Sequence, residues 1–443
     1  MSALLRKKAE RIVQELSDAG HEALFAGGCV RDMLRGEEPH DYDVATDATP
    51  DEVQGLFERT VPVGRQFGVV LVLLGDDQFE VATFRAEAGY SDGRHPDDVV
   101  FADARADALR RDFTINGLFY DPLAETLIDY VGGEADIEAG VVRAIGDPAE
   151  RFAEDALRMM RAVRFTARFG YRLEPATRTA LEARAADIAK VSGERLREEL
   201  GRILTGPNRG DALELLRTTG LLRVVLPEVE AMAGCEQPDE FHPEGDVFTH
   251  TCLCLDELRE PSVPLAVGTL LHDVGKPLTR READRVRFNQ HDKVGAQVAR
   301  DICRRLRFSS ADTAHIVDLV AKHMRFMAVR EMRESRLKRL LRNPYIDDHL
   351  ELHRVDCVAS HGDLGNYDFC RQKKEGLKDE EIRPPRLLTG DDLIDMGYAP
   401  GPLFSEILER VEDAQLEGEV ESKDEATALV HREFPRLRDT RAR

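Results

Sequence analysis

The stretch FAGGCVRDMLRGEEPHDYDVAT, residues 25–46, decides how this chain reads. Ala23–Ala26 has the composition of a strand, Gly27-Gly28 of a turn, and Val30–Leu34 of a helix. Glycines let backbone N–H groups approach a phosphate, and a helix N-terminus favours its negative charge. Taken alone, a Gly-Gly turn is equally a structural turn. DYDVAT (41–46) alternates like a strand, which places Asp41 and Asp43 on one side. Paired hard carboxylates suit Mg²⁺, which takes one or two of them plus substrate phosphates. Two such ions can activate an attacking hydroxyl and neutralise a leaving pyrophosphate. Glu80, in FEVATFR (79–85), is the candidate third carboxylate, since an unpaired charge on an apolar strand is costly.

Outward from this stretch, Leu5, Ala9, Ile12 and Leu16 recur at helical spacing within residues 1–20. Gly68–Leu74 and Phe79–Phe84 read as a hairpin turning at Gly75-Asp76-Asp77. Residues 86–107 are rich in Asp, Gly and Pro and read as a mobile loop, with Arg94 and Asp97 as its candidate functional residues. From Pro148 onward the pattern is helical, and the tail after Glu417 reads as a solvated helix.

Composition sets the limits. The chain has 443 residues, 42% hydrophobic and 33% charged, a folded and soluble balance. No apolar run approaches the ~18 residues of a membrane helix, and MSALLRKKAERIV lacks a signal core, so a cytoplasmic protein is expected. The seven cysteines are scattered without a C-x-x-C pair, which supports neither a zinc ribbon nor a disulfide framework; buried free thiols are expected. The net charge of −22 argues against a nucleic-acid partner, yet Arg158–Arg223 carries 14 Lys/Arg against 8 Asp/Glu. Local patches, not totals, decide such binding.

The Gly27-Gly28-x-Val30-Arg31-Asp32 run, Asp41-x-Asp43, RRDFTINGLFYDP (110–122), EDALRMMRAVRFTARFGY (154–171) and GERLREELGRIL (193–204) stand in an order that resembles the class II tRNA nucleotidyltransferase and bacterial poly(A) polymerase family. The resemblance implies an α+β fold: a palm-like head of mixed sheet plus helices, then an all-helical neck and body. It implies Gly27, Gly28, Arg31 and Asp32 at the nucleotide, Arg111 on the triphosphate, and Asp112 and Asn116 on ribose and nucleotide. Asp155 and Arg158 lie three apart on an expected helix, so they are neighbours. An acceptor beside a guanidinium matches the amino donor and ring-nitrogen acceptor of cytosine and adenine, and rejects uracil and guanine. Arg161 and Arg164 are further nucleotide candidates. Arg168, Arg195, Arg197 and Arg202 are candidate RNA-phosphate contacts; Glu194-Arg195 also matches the family's neck motif, which supports the nucleotide pocket. A full-length loop at 86–107 fits addition of the terminal A.

Downstream stand FTHT with His250, LLHDVGKP with His272, Asp273 and Lys276, then His291, His323 and Asp356. His and Asp suit a divalent transition metal. The series resembles the HD phosphohydrolase superfamily, which implies a helical domain. His250, His272, Asp273 and Asp356 match its metal set, and His291 and His323 extend it toward a second metal. An idle helical domain that supports tRNA is the alternative.

The expected division is a catalytic head at 1–147, a helical neck and body at 148–230, an HD-type domain at 231–360 and a helical tail at 361–443. The expected activity is Mg²⁺-dependent, template-independent building of the 3′-CCA end of tRNA from CTP and ATP. The alternatives are A-only or CC-only addition, a poly(A) polymerase, or a regulatory nucleotidyltransferase with an HD hydrolase acting on a protein or an alarmone. A partner membrane is not expected.

Overall fold

The computed structural model describes residues 2–63, 68–88, 98–238, 240, 242–282, 286–378 and 382–435. Two compact units partition the chain: Met1–Ala231 with Ile302–Phe308, and Met232–Asp301 with Ser309–Arg443.

The first unit is built on a seven-stranded mixed sheet in the order β3-β4-β5-β2-β1-β8-β9. Its strands are β1 (Ala23–Ala26), β2 (Val44–Thr46), β3 (Thr60–Pro62), β4 (Val69–Leu74), β5 (Asp77–Thr83), β8 (Leu118–Asp121) and β9 (Thr126–Asp129). Helix α1 (Ser2–Asp18) buries Ala9, Ile12, Val13 and Leu16 completely. Helix α2 (Gly28–Leu34) follows the Gly27 turn, and α3 (Pro50–Leu56) starts on a Thr49–Glu52 capping box with Pro50 in its first turn. Along β5 the buried Phe79, Val81 and Thr83 alternate with Gln78 and Glu80, which are exposed. The pair that matters for function is β2 with β5. It is parallel, with Val44 beside Val81, so Asp43 and Glu80 sit at neighbouring positions one step earlier.

Three expectations change here. The strand expected over 41–46 covers only Val44–Thr46; Asp41 and Asp43 lie on the approach to it, where Asp43 C=O accepts from Ala26 N at 3.0 Å. The segment 86–107 is not all loop. Strand β6 (Arg85–Ala88) pairs antiparallel with β7 (Asp98–Phe101), and α4 (Ala104–Arg110) begins on the Asp103 cap. Arg94 and Asp97 lie outside the described residues. The body is not purely helical, because β10 (Val141–Val142) and β11 (Arg172–Leu173) form a short parallel ladder.

Helices α5 (Gly133–Glu138), α6 (Pro148–Glu154), α7 (Leu157–Phe169), α8 (Pro175–Arg184), α9 (Gly193–Leu204), α10 (Arg209–Thr218), α11 (Leu221–Val225) and α12 (Pro227–Glu230) complete this unit. Helix α7 ends where Gly170 takes a left-handed φ of 65°.

The second unit contains α13 (Val247–Asp256), α14 (Val263–Leu271), α15 (Lys276–Thr279), α16 (His291–Arg305) up to Asp301, α17 (Ser310–Lys322), α18 (Glu334–Leu341), α19 (Ile346–Ala359) and α20 (Gly365–Gly376). A two-stranded ladder, β12 (Arg281–Glu282) with β13 (Val286–Arg287), interrupts them. Every residue of α14 from Leu265 to Leu271 is buried, as a helix apolar on all sides must be. Gly268 lets it approach α17: a Cβ there would stand 2.6 Å from Leu319 Cδ1.

The tail departs from its expected solvated character. Helices α21 (Gly390–Asp395), α22 (Pro402–Leu416) and α23 (Lys423–Glu433) share a core of Leu388, Leu393, Tyr398, Ile407, Val411, Ala414, Val420, Ala426, Leu429 and Val430. Charged residues dominate its sequence, but the few apolar ones fall on facing stripes. Leu393→Ala should therefore cost about 2–5 kcal/mol, and Leu403→Ala, at a 42% exposed site, less than about 0.5 kcal/mol. Urea unfolding of the two variants checks this; equal midpoints would mean the tail has no packed core.

Candidate functional sites

In the first unit the Gly27 turn, the carboxylates and the Arg111 segment come together. Gly27 has a φ of 71°, and a Cβ on it would lie 2.7 Å from Arg111 Nη1. Glycine here admits both the turn and the arginine. Arg111 is aimed by Asp107, whose Oδ2 accepts from Nε at 3.1 Å and Nη2 at 2.9 Å; Nη1 donates to the Asn116 carbonyl at 3.2 Å. The same buried Asp107 carboxylate also takes Arg110, with Oδ1 2.6 Å from its Nη2.

A buried polar chain runs beside this. Arg31 Nε donates to Asp32 Oδ1 at 2.8 Å, and Arg31 Nη1 to Asn116 Oδ1 at 2.6 Å. Asn116 Nδ2 donates to Asp112 Oδ1 at 3.1 Å, and Arg161 Nε to Asp112 Oδ2 at 2.7 Å. Burial alone would raise the Asp112 pKa, but Arg161 and the Asn116 amide hold it below its ordinary value. Arg31, Asp32, Asp112, Asn116 and Arg161 thus form one network around α2 and α7.

Asp41 and Glu80 are exposed and Asp43 is half-buried. Burial pushes the Asp43 carboxyl up to about 7, and the charges of Asp41 and Glu80 push in the same direction against Arg111. Three acidic groups therefore share one field, with charge in excess. That excess suits a divalent cation, which Asp41, Asp43 and Glu80 would hold.

The pair expected to read the base, Asp155 and Arg158, is arranged differently from that expectation. Asp155 is not on a helix with Arg158: it ends α6 in extended backbone, φ −145° and ψ 105°. Its two oxygens take Arg195 side-on, at 3.1 Å from Nη1 and 2.7 Å from Nη2. Arg158 Nη1 pairs with Glu154 Oε2 at 2.5 Å and with the Arg151 carbonyl at 3.2 Å. The i,i+3 reading failed because the chain breaks helix between the two residues.

Several arginines expected on phosphate are already engaged. Arg195 is held by Asp155, and Arg164 pairs with buried Glu199. Arg197 donates to the Arg307 carbonyl. Arg168 is exposed, and the Arg202 side chain is 61% exposed. Asp107 and Glu199 were missed by sequence reading; their i+3 and i+4 spacing to Arg110 and Arg111, and the acidic pair inside GERLREEL, were the available signals.

In the second unit the fully buried α14 delivers His272-Asp273 to the interior. Gly275 lets the start of α16 close in, since a Cβ there would lie 2.2 Å from the His291 carbonyl. His291 Nε2 comes within 3.4 Å of Asp273 Oδ1, and His323 Nε2 within 3.8 Å. His250 Nε2 is 3.2 Å from Asp356 Oδ1. Each ring is oriented from behind. His272 Nδ1 bonds the Thr269 carbonyl at 2.7 Å, His291 Nδ1 that of Phe288 at 2.8 Å, and His323 Nδ1 that of Val320 at 2.8 Å. This leaves every Nε2 lone pair facing inward, the arrangement of metal-binding imidazoles. Burial, with the neighbouring His272, lowers His323 to about 4, so it is neutral at pH 7. His272 Nε2 is buried, 3.3 Å from Asp273 Oδ2. The donor set thus fits divalent metal. A cavity of about 560 Å³ opens on it, lined by Asp273, His291, His323, Asp356, Lys276 and Phe288 among others. His242, Glu244 and Cys254 join these clusters without having been foreseen: Glu244 Oε1 lies 2.6 Å from His250 Nδ1 and 2.9 Å from His242 Nδ1. Their signals were the FHPEG segment and the i+4 spacing from His250 to Cys254.

Comparison with known proteins matches three family models in order. They are the poly A polymerase head domain at 23–143, the probable RNA and SrmB-binding site of polymerase A at 170–232, and the HD domain at 247–352. A CCA-adding enzyme of Lactobacillus helveticus is 42% identical over 54% of this chain and 58% of its own length. One from Bacillus pumilus is 46% identical over 60% of this chain and 62% of its own. The matched stretches span about three fifths of these curated relatives. The Bacillus stearothermophilus CCA-adding enzyme in complex with CTP superposes with a TM-score of 0.72 at 28% identity, over 96% of this chain and 97% of that one. The head, with its mixed sheet, and the helical HD domain therefore have the fold of that enzyme. Among the described residues no helix is long and apolar enough to cross a membrane.

The charge excess at Asp43 has a measurable sign. A carboxylate with a raised folded pKa favours the fold when protonated, so metal-free stability falls as pH rises from about 4 to about 7. Asp43→Asn should flatten that slope and make the chelator-treated protein more stable than wild type at pH 8. Thermal melts in chelator at pH 5 and pH 8 measure it; a slope unchanged by the substitution would place the excess charge elsewhere.

Proposed function

We propose that this chain builds or repairs the 3′-terminal CCA of tRNA, transferring nucleotides from CTP and ATP and releasing pyrophosphate without a template. The single observation that carries the reading is the meeting of three carboxylates with the Asp107-aimed Arg111 at the Gly27 turn. When bound, Mg²⁺ would neutralise charge on the triphosphate and on the leaving pyrophosphate. Asp41 and Asp43 hold it, with Glu80 completing the acidic set. The Gly27-Gly28 backbone and Arg111 position the triphosphate, and the Arg31–Asp32–Asn116–Asp112–Arg161 network fixes the ribose side.

Asp155 and Arg158 remain the proposed base readers. The carboxylate clamped by Arg195 keeps lone pairs for the amino group of cytosine or adenine. Arg158 must turn from Glu154 to reach the ring nitrogen. Arg195 is therefore a positioning residue, and Arg164 with Glu199 supports it from α9. Arg168 and Arg202 are the phosphate contacts for the tRNA end. Such a role places the enzyme in the cytoplasm.

A second reading concerns the HD region: metal-dependent hydrolysis of a phosphoester. The inward-facing lone pairs and the cavity beside them favour it over an idle scaffold. His250, His272, Asp273 and Asp356, with His291 and His323, would hold the metal.

Purified protein with Mg²⁺ and tRNA transcripts ending at the discriminator base, at C and at CC tests the main reading. Completion of CCA on all three is expected. Growth on the CC-ending transcript alone would make it A-adding only, and stopping at CC would make it CC-adding only. A long A tract would make it a poly(A) polymerase. No growth would shift the reading to a regulatory enzyme. Asp43→Ala should lower transfer at least about 10³-fold. Arg195→Ala should leave transfer measurable but raise UTP misincorporation at least tenfold, a split a purely structural role would not produce.

A further inference from the structure

Resting on the proposed assignment of Arg111 to the triphosphate and of Arg158 to the base, we propose that Asp107 couples the two. It is a positioning residue. Through the last turn of α4 it sets both the grip on the triphosphate and the choice of base.

Asp107 is 2% exposed and stands three and four residues before Arg110 and Arg111, the spacing that brings side chains together on a helix face. Its carboxylate divides between the two arginines. Oδ1 accepts from Arg110 Nε at 2.8 Å and from Nη2 at 2.6 Å. Oδ2 accepts from Arg111 Nε at 3.1 Å and from Nη2 at 2.9 Å. Arg85 N also donates to Oδ1 at 3.3 Å, and Arg110 Nε donates to the Arg85 carbonyl at 3.1 Å. Burial alone would raise the Asp107 pKa, but Arg111 and Arg110 hold it below its ordinary value, so it is ionised at pH 7. Two guanidinium groups gripped side-on by one buried carboxylate make a stiff joint, because every bond is charge-assisted and none is exposed to competing water.

The two arms of this joint lead to opposite ends of the nucleotide. Helix α4 ends at Arg110, and Arg111 leaves it in extended backbone, φ −67° and ψ 168°. Its guanidinium lies against the Gly27 turn, with Nη1 2.7 Å from the point where a Cβ of residue 27 would stand. That is the phosphate arm. The other arm runs through the Arg110 backbone. The Arg110 carbonyl accepts from Arg158 Nη2 at 3.3 Å, while Arg158 Nη1 holds Glu154 and the Arg151 carbonyl. Turning Nη1 from Glu154 toward a base leaves the Nη2 bond as the pivot. Asp107 fixes the residue that carries this pivot and, on its other oxygen, the arginine on the phosphates. One helical turn thereby sets the distance between the two contacts, and a base of the wrong pattern is rejected only while that distance holds.

The two ends are measured separately. Calorimetry with inorganic tripolyphosphate and Mg²⁺ reads the phosphate end. Transfer of CMP against UMP to a tRNA transcript ending at the discriminator base reads the other. Asp107→Asn, close in shape, should weaken tripolyphosphate about tenfold and raise UMP misincorporation about fivefold. Arg111→Ala should weaken tripolyphosphate at least as much and leave the CMP-to-UMP ratio unchanged, because it breaks one arm only. Asp107→Asn added to Arg111→Ala should cost no further tripolyphosphate affinity yet still raise misincorporation, a pattern that general loosening of the fold would not give. Asp107→Glu, which keeps the charge, should restore part of both losses, and circular dichroism of each variant should match wild type. Loss of tripolyphosphate affinity in Asp107→Asn with unchanged discrimination overturns the coupling and leaves the CCA reading standing, as does loss of neither. Wild type that binds tripolyphosphate but transfers neither nucleotide overturns both.

Discussion

One buried polar chain, Asp32–Arg31–Asn116–Asp112–Arg161, carries the rest of the head site. It joins the helix after the Gly27 turn to the segment after α4 and to α7. Arg31 and Asp112 are 5% and 8% exposed, so removing either partner strands a charge in low dielectric. A satisfied network of this kind is rigid and specifies one arrangement. The aromatic rings beneath it add to the hold, with the Arg31 guanidinium 4.7 Å from the Phe169 ring centre. The nucleotide candidates are thus fixed relative to one another before any ligand is considered.

The acidic corner obeys a different rule. The parallel register of β2 and β5 forces Asp43 and Glu80 side by side, and the bend before β2 adds Asp41. Arg111 opposes this excess of charge without cancelling it. Burial and two like charges raise Asp43. A fold that keeps three carboxylates together at a cost in stability is one whose corner is shaped for a cation.

Legibility from sequence followed locality. The Gly27 turn, β1, the β4–β5 hairpin and the Asp41–Asp43–Glu80 group were all readable, because turn residues and alternation are local signals. The histidines and aspartates that cluster in the HD region were readable by residue type. What failed depended on partners far along the chain. Asp155 and Arg158 satisfied helical spacing, yet Arg195, 40 positions away, captures Asp155. The tail was taken for a solvated helix because composition says nothing about facing stripes; Leu393, Ile407 and Leu429 find each other only across three helices.

The same bookkeeping bears on the conflict between a net charge of −22 and the proposed phosphate-rich substrate. Part of the basic surplus over Arg158–Arg223 is turned inward. Arg161, Arg164 and Arg195 are committed to Asp112, Glu199 and Asp155. They build geometry and contribute little to a long-range field. Among the exposed basic residues of the segment, Arg168 and Arg202 flank a cleft of about 380 Å³ that also includes Arg164 and Pro207. On the proposed function, an acidic protein would meet RNA phosphates through a small basic patch while its net negative charge opposes long-range attraction, so the binding would be short-ranged and site-selective.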